Sequence, residues 1–315
     1  MKILKLILGG GGEKGRKNAP SQSAAAAQSF SQFAQTFRIG PEPDNSTGSN
    51  RSQEQAALGA RAALEEFLRN APHTLQEVRK LFSDISRSPS LPARQQILTD
   101  ICLQLAELKK QFGMFHMRPA WQLAAALEGL FQQLIDNPSQ LTLSTLRSAA
   151  SALVLLDSLC VPNLRPDLAH NPTVRILVVD DNPINCQVIL MSLKQTFAPP
   201  DVAEDGEAAL RLAAQKPYEM VFLDIEMPGM DGYEVCTKIH ELEGNVNTPV
   251  IFVTSHSDFE SRAKSTSSGG RDLIAKPFLS FEITIKALTL VLRKRLDEMK
   301  SAQPEANALP ALAVS

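Results

Sequence analysis

The residue types best suited to chemistry in this chain sit at the ends of short apolar runs. Asp180 and Asp181 directly follow the run from Val174 to Val179. Asp224 follows Met220–Leu223, Thr254 follows Val250–Val253, and Lys276 follows Leu273–Ala275 and precedes Pro277. In a parallel doubly wound sheet, ligands bind beyond the carboxyl ends of the strands, at the switch in strand order. If the runs are such strands, three carboxylates, a hydroxyl and an ammonium converge at one rim. Crowded carboxylates raise one another's proton affinity unless a cation intervenes. An all-oxygen donor set suits Mg2+, which keeps several waters and bridges carboxylate to phosphate. Carboxylate attack on phosphorus sets anion against anion, so such a site must supply cations and donors for the phosphoryl oxygens. Mg2+ on Asp181 and Asp224, the Lys276 ammonium and the Thr254 hydroxyl meet that need. Taken singly, each residue has a plainer reading. Paired aspartates suit turns and helix caps, threonine suits a strand end, and a lysine before proline is usually a solvated charge. Their joint placement favours the chemical reading.

The elements that must position these residues follow from the change in apolar period. Helical stretches Asn185–Gln195, Glu207–Gln215, Gly232–Leu242 and Phe281–Arg295 alternate with the apolar runs. Continuous apolar strands between amphipathic helices predict a parallel sheet covered on both faces. The expected fold class is therefore an α/β doubly wound, five-stranded parallel sheet at 174–297, preceded by an all-α helical bundle at 52–160. In the bundle, Ile97, Ile101, Leu105, Leu108 and Phe112 share one helical face, and Gly113 is expected to end that helix. A second stripe holds Trp121, Leu127, Leu130, Phe131, Leu134 and Ile135. Breaks are expected at Ala71-Pro72, Pro89–Pro92, Pro119 and Asn137-Pro138, which gives five short helices. Pro162, Pro166 and Pro172 mark a semi-rigid linker at 161–173. Residues 1–51, with Phe30, Phe33 and Phe37 at helical spacing, and the Ala/Pro-rich 298–315 read as disordered flanks.

Composition narrows the function classes. The chain has 315 residues, 43% hydrophobic and 21% charged, with a formal net charge of −2. That balance offers no clustered basic surface for nucleic acid. The four cysteines, Cys102, Cys160, Cys186 and Cys236, have no metal-type spacing and read as reduced, mostly buried thiols. None of the histidines His73, His116, His170, His240 and His256 has a metal-ligand partner at useful spacing, although His256 lies two residues past Thr254. Met1–Leu8 is too short an apolar stretch for a membrane span. The expected location is the cytoplasm.

The segments carrying these residues resemble a known family. Val178-Val-Asp-Asp-Asn-Pro-Ile-Asn185 is similar to the opening of receiver domains of two-component systems, particularly those of hybrid sensor kinases. Leu223-Asp-Ile-Glu-Met-Pro-Gly-Met-Asp-Gly232 resembles their phospho-acceptor segment, and Val253-Thr-Ser255 and Ala275-Lys-Pro-Phe278 resemble the remaining signatures. The resemblance covers about two-fifths of the chain and implies a CheY-like fold. It implies that Asp224 is the phospho-acceptor and that Asp181, Asp224 and the carbonyl of Glu226 ligate Mg2+, with Asp180 acting through water. It further implies that Lys276 pairs with the acceptor and Thr254 with a phosphoryl oxygen. Leu273 stands where many receivers carry an aromatic residue that moves on activation. The bundle weakly resembles a histidine phosphotransfer domain, but Leu103 occupies the neighbourhood of the phospho-accepting histidine. The implied function is a response regulator phosphorylated by a sensor histidine kinase or phosphotransfer protein, with no enzyme activity beyond its own phosphorylation and dephosphorylation. Output then passes through protein contacts, including self-association through the bundle. The alternatives are a binding scaffold seldom phosphorylated, and a relay in which the bundle passes phosphate onward.

Overall fold

The computed structural model describes residues 50–88, 90–160, 173–255 and 265–301. Residues 1–49, 161–172 and 302–315, with His170 and His256, lie outside them; the ends of the expected flanks, 50–51 and 298–301, belong to helices. Among the described residues four α-helices come first: α1 (Asn50–Ile85), α2 (Leu91–Met114), α3 (Arg118–Asp136) and α4 (Leu143–Ser158). They number four, against the five expected, because Pro72 lies inside α1 and does not end it. An internal proline costs about 3 kcal/mol or more. The helix buries Phe67, Leu75, Val78 and Ile85 on one face, each stabilising it by roughly 1.5–3 kcal/mol. Burial outweighs the break.

The other prolines stand where their missing N–H costs least. Pro92 and Pro119 open α2 and α3, and Pro138 opens a 3-10 turn. Gly113 lies within α2, and the left-handed residue after the helix is His116, φ 54°. The expected stripe on α2 is buried at Ile101, Leu105, Leu108 and Phe112, while Ile97 is only partly buried and its neighbour Leu98 takes the buried position. Helix α3 is buried almost all round, from Pro119 to Leu134. This follows from its position: it packs against α2 on one side and against the helix Ser280–Ser301 on another.

The second half alternates strand and helix: β1 (Ile176–Val179), α5 (Pro183–Leu193), β2 (Asp201–Ala203), α6 (Gly206–Gln215), β3 (Met220–Asp224), α7 (Gly232–Glu241), β4 (Val250–Thr254), β5 (Asp272–Ala275) and α8 (Ser280–Ser301). The strands form one parallel sheet in the order β2-β1-β3-β4-β5. The short edge strand β2 has no apolar run to announce it; Val202 on it is exposed. Strands β1, β3 and β4 are buried at every residue.

One face of the sheet, with Leu177, Val221, Leu223 and Phe252, packs on α6 and α7. The other face, with Val178, Phe222, Ile251 and Ile274, joins α5 and α8. Its core runs on without a break into α2, α3 and α4. Phe281 of α8 sits against Gly129 of α3. A polar seam lies beside it. Buried Glu282 accepts hydrogen bonds from Ser144 Oγ (2.5 Å) and Ser148 Oγ (3.2 Å), and Ser144 also bonds the carbonyl of Leu273 on β5. Burial pushes the Glu282 carboxyl up, and the two hydroxyls and Lys286 pull it partly back.

Candidate functional site: an acidic rim at the strand switch point

The order β2-β1-β3 places the switch in strand order between β1 and β3, and the carboxyl ends of those strands carry the aspartates. Asp180 follows β1 and Asp224 ends β3; both are buried, while Asp181 is exposed. One carboxylate oxygen from each lies within 4.8 Å of the others. Lys276, at the end of β5, places Nζ 2.7 Å from Asp224 Oδ2 and 3.0 Å from Asp180 Oδ2. Its backbone N–H donates to Thr254 O at 2.7 Å, which ties the ends of β4 and β5 together. Thr254 is buried at the end of β4.

Backbone turns shape the rim. The Asn182 side chain caps α5 by accepting from Ile184 N, and Asn182 N donates to Asp180 Oδ1 at 2.9 Å. Exposed Glu226 reaches the rim through its backbone, whose N–H donates to Asp224 Oδ1 at 3.3 Å. The loop after β3 turns at Gly229, φ 82°, and brings Gly232 so close that a Cβ there would lie 2.2 Å from Asp224 O. Only glycine permits that approach, so the segment after Asp224 is fixed by its glycines and by the Asp231 cap on Glu234 N.

The electrostatics follow from three carboxylates facing one ammonium. Burial pushes the Asp224 carboxyl above its ordinary value; the Lys276 hydrogen bond pulls it back and the charge of Asp180 adds to the rise. For Lys276 burial works against the charge, but its hydrogen bonds to Asp224 and Asp180 prevail and the ammonium is held more firmly. Among the described residues, three ionised carboxylates against one ammonium leave two negative charges, equal to the charge of one divalent cation. The donor set is all oxygen, so the residues present fit Mg2+.

The residues expected from the sequence, Asp180, Asp181, Asp224, Glu226, Thr254 and Lys276, thus fall on one rim. Asn185 stands beside them. Its side-chain amide donates to both oxygens of Asp180, at 3.0 Å each. Its signal was a polar residue in the first turn of the helix, five positions after Asp180. Among the described residues, His73 lies 3.7 Å from Glu77 on the exposed face of α1, and His240 Nε2 contacts Thr248 O at 2.8 Å, both away from the rim. Among the described residues the cysteines are all free, and burial raises Cys102, Cys160 and Cys236 to about 12 and Cys186 to about 11. Among the same residues no helix is long and apolar enough to cross a membrane.

Comparison with known proteins agrees with this geometry. Residues 176–288 match the family model described as the response regulator receiver domain. A segment of 102 residues is 36% identical to the signal transduction histidine-protein kinase BarA of Escherichia coli (strain K12), covering 32% of this chain and 11% of that protein. A segment of 119 residues is 34% identical to the transcriptional regulatory protein ResD of Bacillus subtilis (strain 168), covering 38% of this chain and 48% of that one. The chain therefore spans at most about half the length of these relatives. Among solved structures, the receiver domain of the Francisella response regulator 1452 is 30% identical, covering 39% of this chain and 99% of that one, with a TM-score of 0.36. Family match, strand order and acidic rim together identify residues 176–288 as a response regulator receiver domain, a family of signalling phospho-acceptors.

Proposed function

We propose that this chain is a cytoplasmic response regulator that takes a phosphoryl group on Asp224 from a sensor histidine kinase or a phosphotransfer protein and signals through protein contacts. The observation that carries the reading is Lys276 Nζ held between Asp224 and Asp180 within the carboxylate cluster. An Asp224 carboxylate oxygen attacks the phosphorus of a phosphohistidine. The O–P bond forms as the P–N bond breaks, and the imidazole leaves with the bonding pair. Lys276 orients the acceptor carboxylate and afterwards pairs with the phosphoryl group, and Thr254 donates its hydroxyl to a phosphoryl oxygen. Asp181, Asp224 and the Glu226 carbonyl would hold Mg2+, with Asp180 contributing its charge through water. Bound there, Mg2+ supplies the positive charge that lets an anionic phosphoryl group approach an anionic rim.

The division of labour along the chain follows: a receiver at 174–297, a helical bundle at 52–160 joined to it by 161–173, and flanks at 1–51 and 298–315. The bundle is a protein-contact module. It does not relay phosphate, since Leu103, 66% exposed on α2, offers no acceptor where a phosphotransfer histidine would stand. The test is incubation of the full chain with phosphoramidate and Mg2+, read by intact-protein mass beside Asp224→Asn. One added phosphate, absent from the variant and absent without Mg2+, supports the reading. No uptake at high donor concentration would refute it and favour a binding scaffold.

A further inference from the structure

We propose that Asn185 is a positioning residue for this site, holding the Asp180 carboxylate so that Lys276 stays on Asp224; the proposal rests on the phospho-acceptor reading given above. Its basis is a shortage of backbone donors at the start of α5. A carboxylate beside a helix N-terminus usually collects the free N–H groups of the first turn. Here the first helical residue is Pro183, which has none. Ile184 N–H is taken by the Asn182 side chain, and Cys186 N–H by the Asn182 carbonyl. Asp180 is left with one backbone donor, Asn182 N. It is 1% exposed, so bulk water does not make up the rest.

The Asn185 amide fills the gap. Nδ2 lies 3.0 Å from Oδ1 and 3.0 Å from Oδ2. Only the NH2 end can face a carboxylate, since the amide oxygen would meet it as acceptor to acceptor. Each Asp180 oxygen then has two donors: Asn182 N and Asn185 Nδ2 on Oδ1, Asn185 Nδ2 and Lys276 Nζ on Oδ2. Among the described residues Asp224 by contrast has Lys276 on one oxygen and the 3.3 Å Glu226 N–H on the other. The two carboxylates compete for one ammonium, and the amide decides the competition by satisfying Asp180 first. A neutral donor is suited to this. A cation at 185 would cancel the charge that draws Mg2+, and an apolar residue would leave Asp180 to draw Lys276 and the metal to itself.

The consequence separates two quantities that damage to the fold would lower together. In Asn185→Ala, the freed Asp180 lone pairs present more negative charge to a cation while Lys276 shifts toward Asp180. Mg2+ should bind the full chain several-fold more tightly by calorimetry. Phosphorylation by phosphoramidate at saturating Mg2+ should slow about tenfold, the low end of what loss of an outer-shell partner costs. Asn185→Asp, which adds a carboxylate, should push both quantities further in the same directions. Asn185→Ser, which keeps a donor, should fall between wild type and Asn185→Ala. A melting curve for each variant shows whether it is folded, and the serine variant decides the matter if the alanine variant is not. Mg2+ affinity and rate both within about twofold of wild type, or both reduced, would overturn the proposal. If the wild type takes up no phosphate, the acceptor reading fails separately. The calorimetry then decides alone: tighter Mg2+ binding in Asn185→Ala upholds the positioning role, and unchanged or weaker binding overturns it.

Discussion

Replacing Phe281 by alanine tests whether the helical bundle and the sheet share one core. Phe281, in the first turn of α8, is 1% exposed. Its ring lies against Gly129 so closely that a Cβ built there would fall 2.3–2.6 Å from the ring's far atoms. At a surface such a ring would swing aside; fully buried, it cannot do so without opening the seam between α3 and α8. Phe281→Ala should therefore cost about 3–5 kcal/mol. Gly129→Leu alone sets two terms against each other: a gain of about 1 kcal/mol in helix propensity and an overpacking cost of about 1–3 kcal/mol. The trapped ring makes the second prevail, and the variant should be less stable than wild type. In the double variant the leucine fills the volume the ring vacates. The loss should be smaller than the sum of the single losses by about 1–3 kcal/mol. The assay is urea denaturation followed by Trp121 fluorescence, which reports on α3, and by far-ultraviolet circular dichroism, which reports on the whole chain. One coincident transition with a coupled cycle is expected. Additivity within about 0.5 kcal/mol, separate transitions for the two probes, or a stabilised Gly129→Leu would refute the shared core.

Four further outcomes are expected. Glu282 faces Ser144, Ser148, Lys286 and Asp272, and its folded-state carboxyl is raised above the ordinary value of 4.5, burial being the largest cause. The native state thus holds that proton more firmly than the unfolded chain. Its contribution to stability is full below the ordinary value and is lost as pH rises through the raised one. Glu282→Gln should flatten that part of the profile, read as urea midpoints from about pH 4 to about pH 7; an unchanged slope would contradict it. Asn245 is buried, with Oδ1 accepting from Tyr218 N (2.8 Å) and Thr248 Oγ1 (3.0 Å) and Nδ2 donating to Ala213 O (2.7 Å) and Lys216 O (3.3 Å). Asn245→Ala should cost about 2–4 kcal/mol in chemical denaturation, because it strands several buried groups at once. Mg2+ at about a hundred times its Kd should stabilise the wild type by about 2.7 kcal/mol in thermal melts, and Asp181→Asn should lose most of that gain. Pro72→Ala restores a helical N–H in the middle of α1 and should raise stability by about 1–3 kcal/mol, read from the melting temperature.

The acidic rim was legible because its residues follow apolar runs directly, and the strand period fixes where a run ends. Asp180, Asp224, Thr254 and Lys276 needed no tertiary information beyond the assumption of one parallel sheet. The features that escaped are those decided by contacts distant in sequence. Pro72 reads as a break until Phe67, Leu75, Val78 and Ile85 are seen to be buried on the same helix. Strand β2 is three residues long and begins with an aspartate, and only pairing with β1 from Leu177↔Asp201 to Val179↔Ala203 makes it a strand. Gly129 looks like a weak point in an otherwise apolar helix. Its use, room for a ring some 150 positions away, is visible only when α3 meets α8. Asn185 stood within a recognisable segment, yet its role depends on which N–H groups Pro183 and Asn182 leave available.

The same contacts bear on how a signal would leave the site. β5 carries Lys276 at its carboxyl end and, three residues earlier, the Leu273 carbonyl that receives Ser144 of α4. Where many receivers place a mobile aromatic residue on this strand, Leu273 is 5% exposed and packed. The strand end that would respond to charge on Asp224 is thus bonded directly to the helical bundle, with Ser144 shared between Leu273 O and Glu282. A shift of β5 along its axis would have to break that bond or carry α4 with it. Cores are close-packed and transmit displacement, and α4 and α8 are both part of the continuous core. Output through the bundle requires no swinging side chain in this arrangement. Ser144→Ala should leave phosphorylation of Asp224 intact while changing hydrogen-exchange protection of α4 between the two states. Identical protection differences in wild type and Ser144→Ala would remove Ser144 from the path.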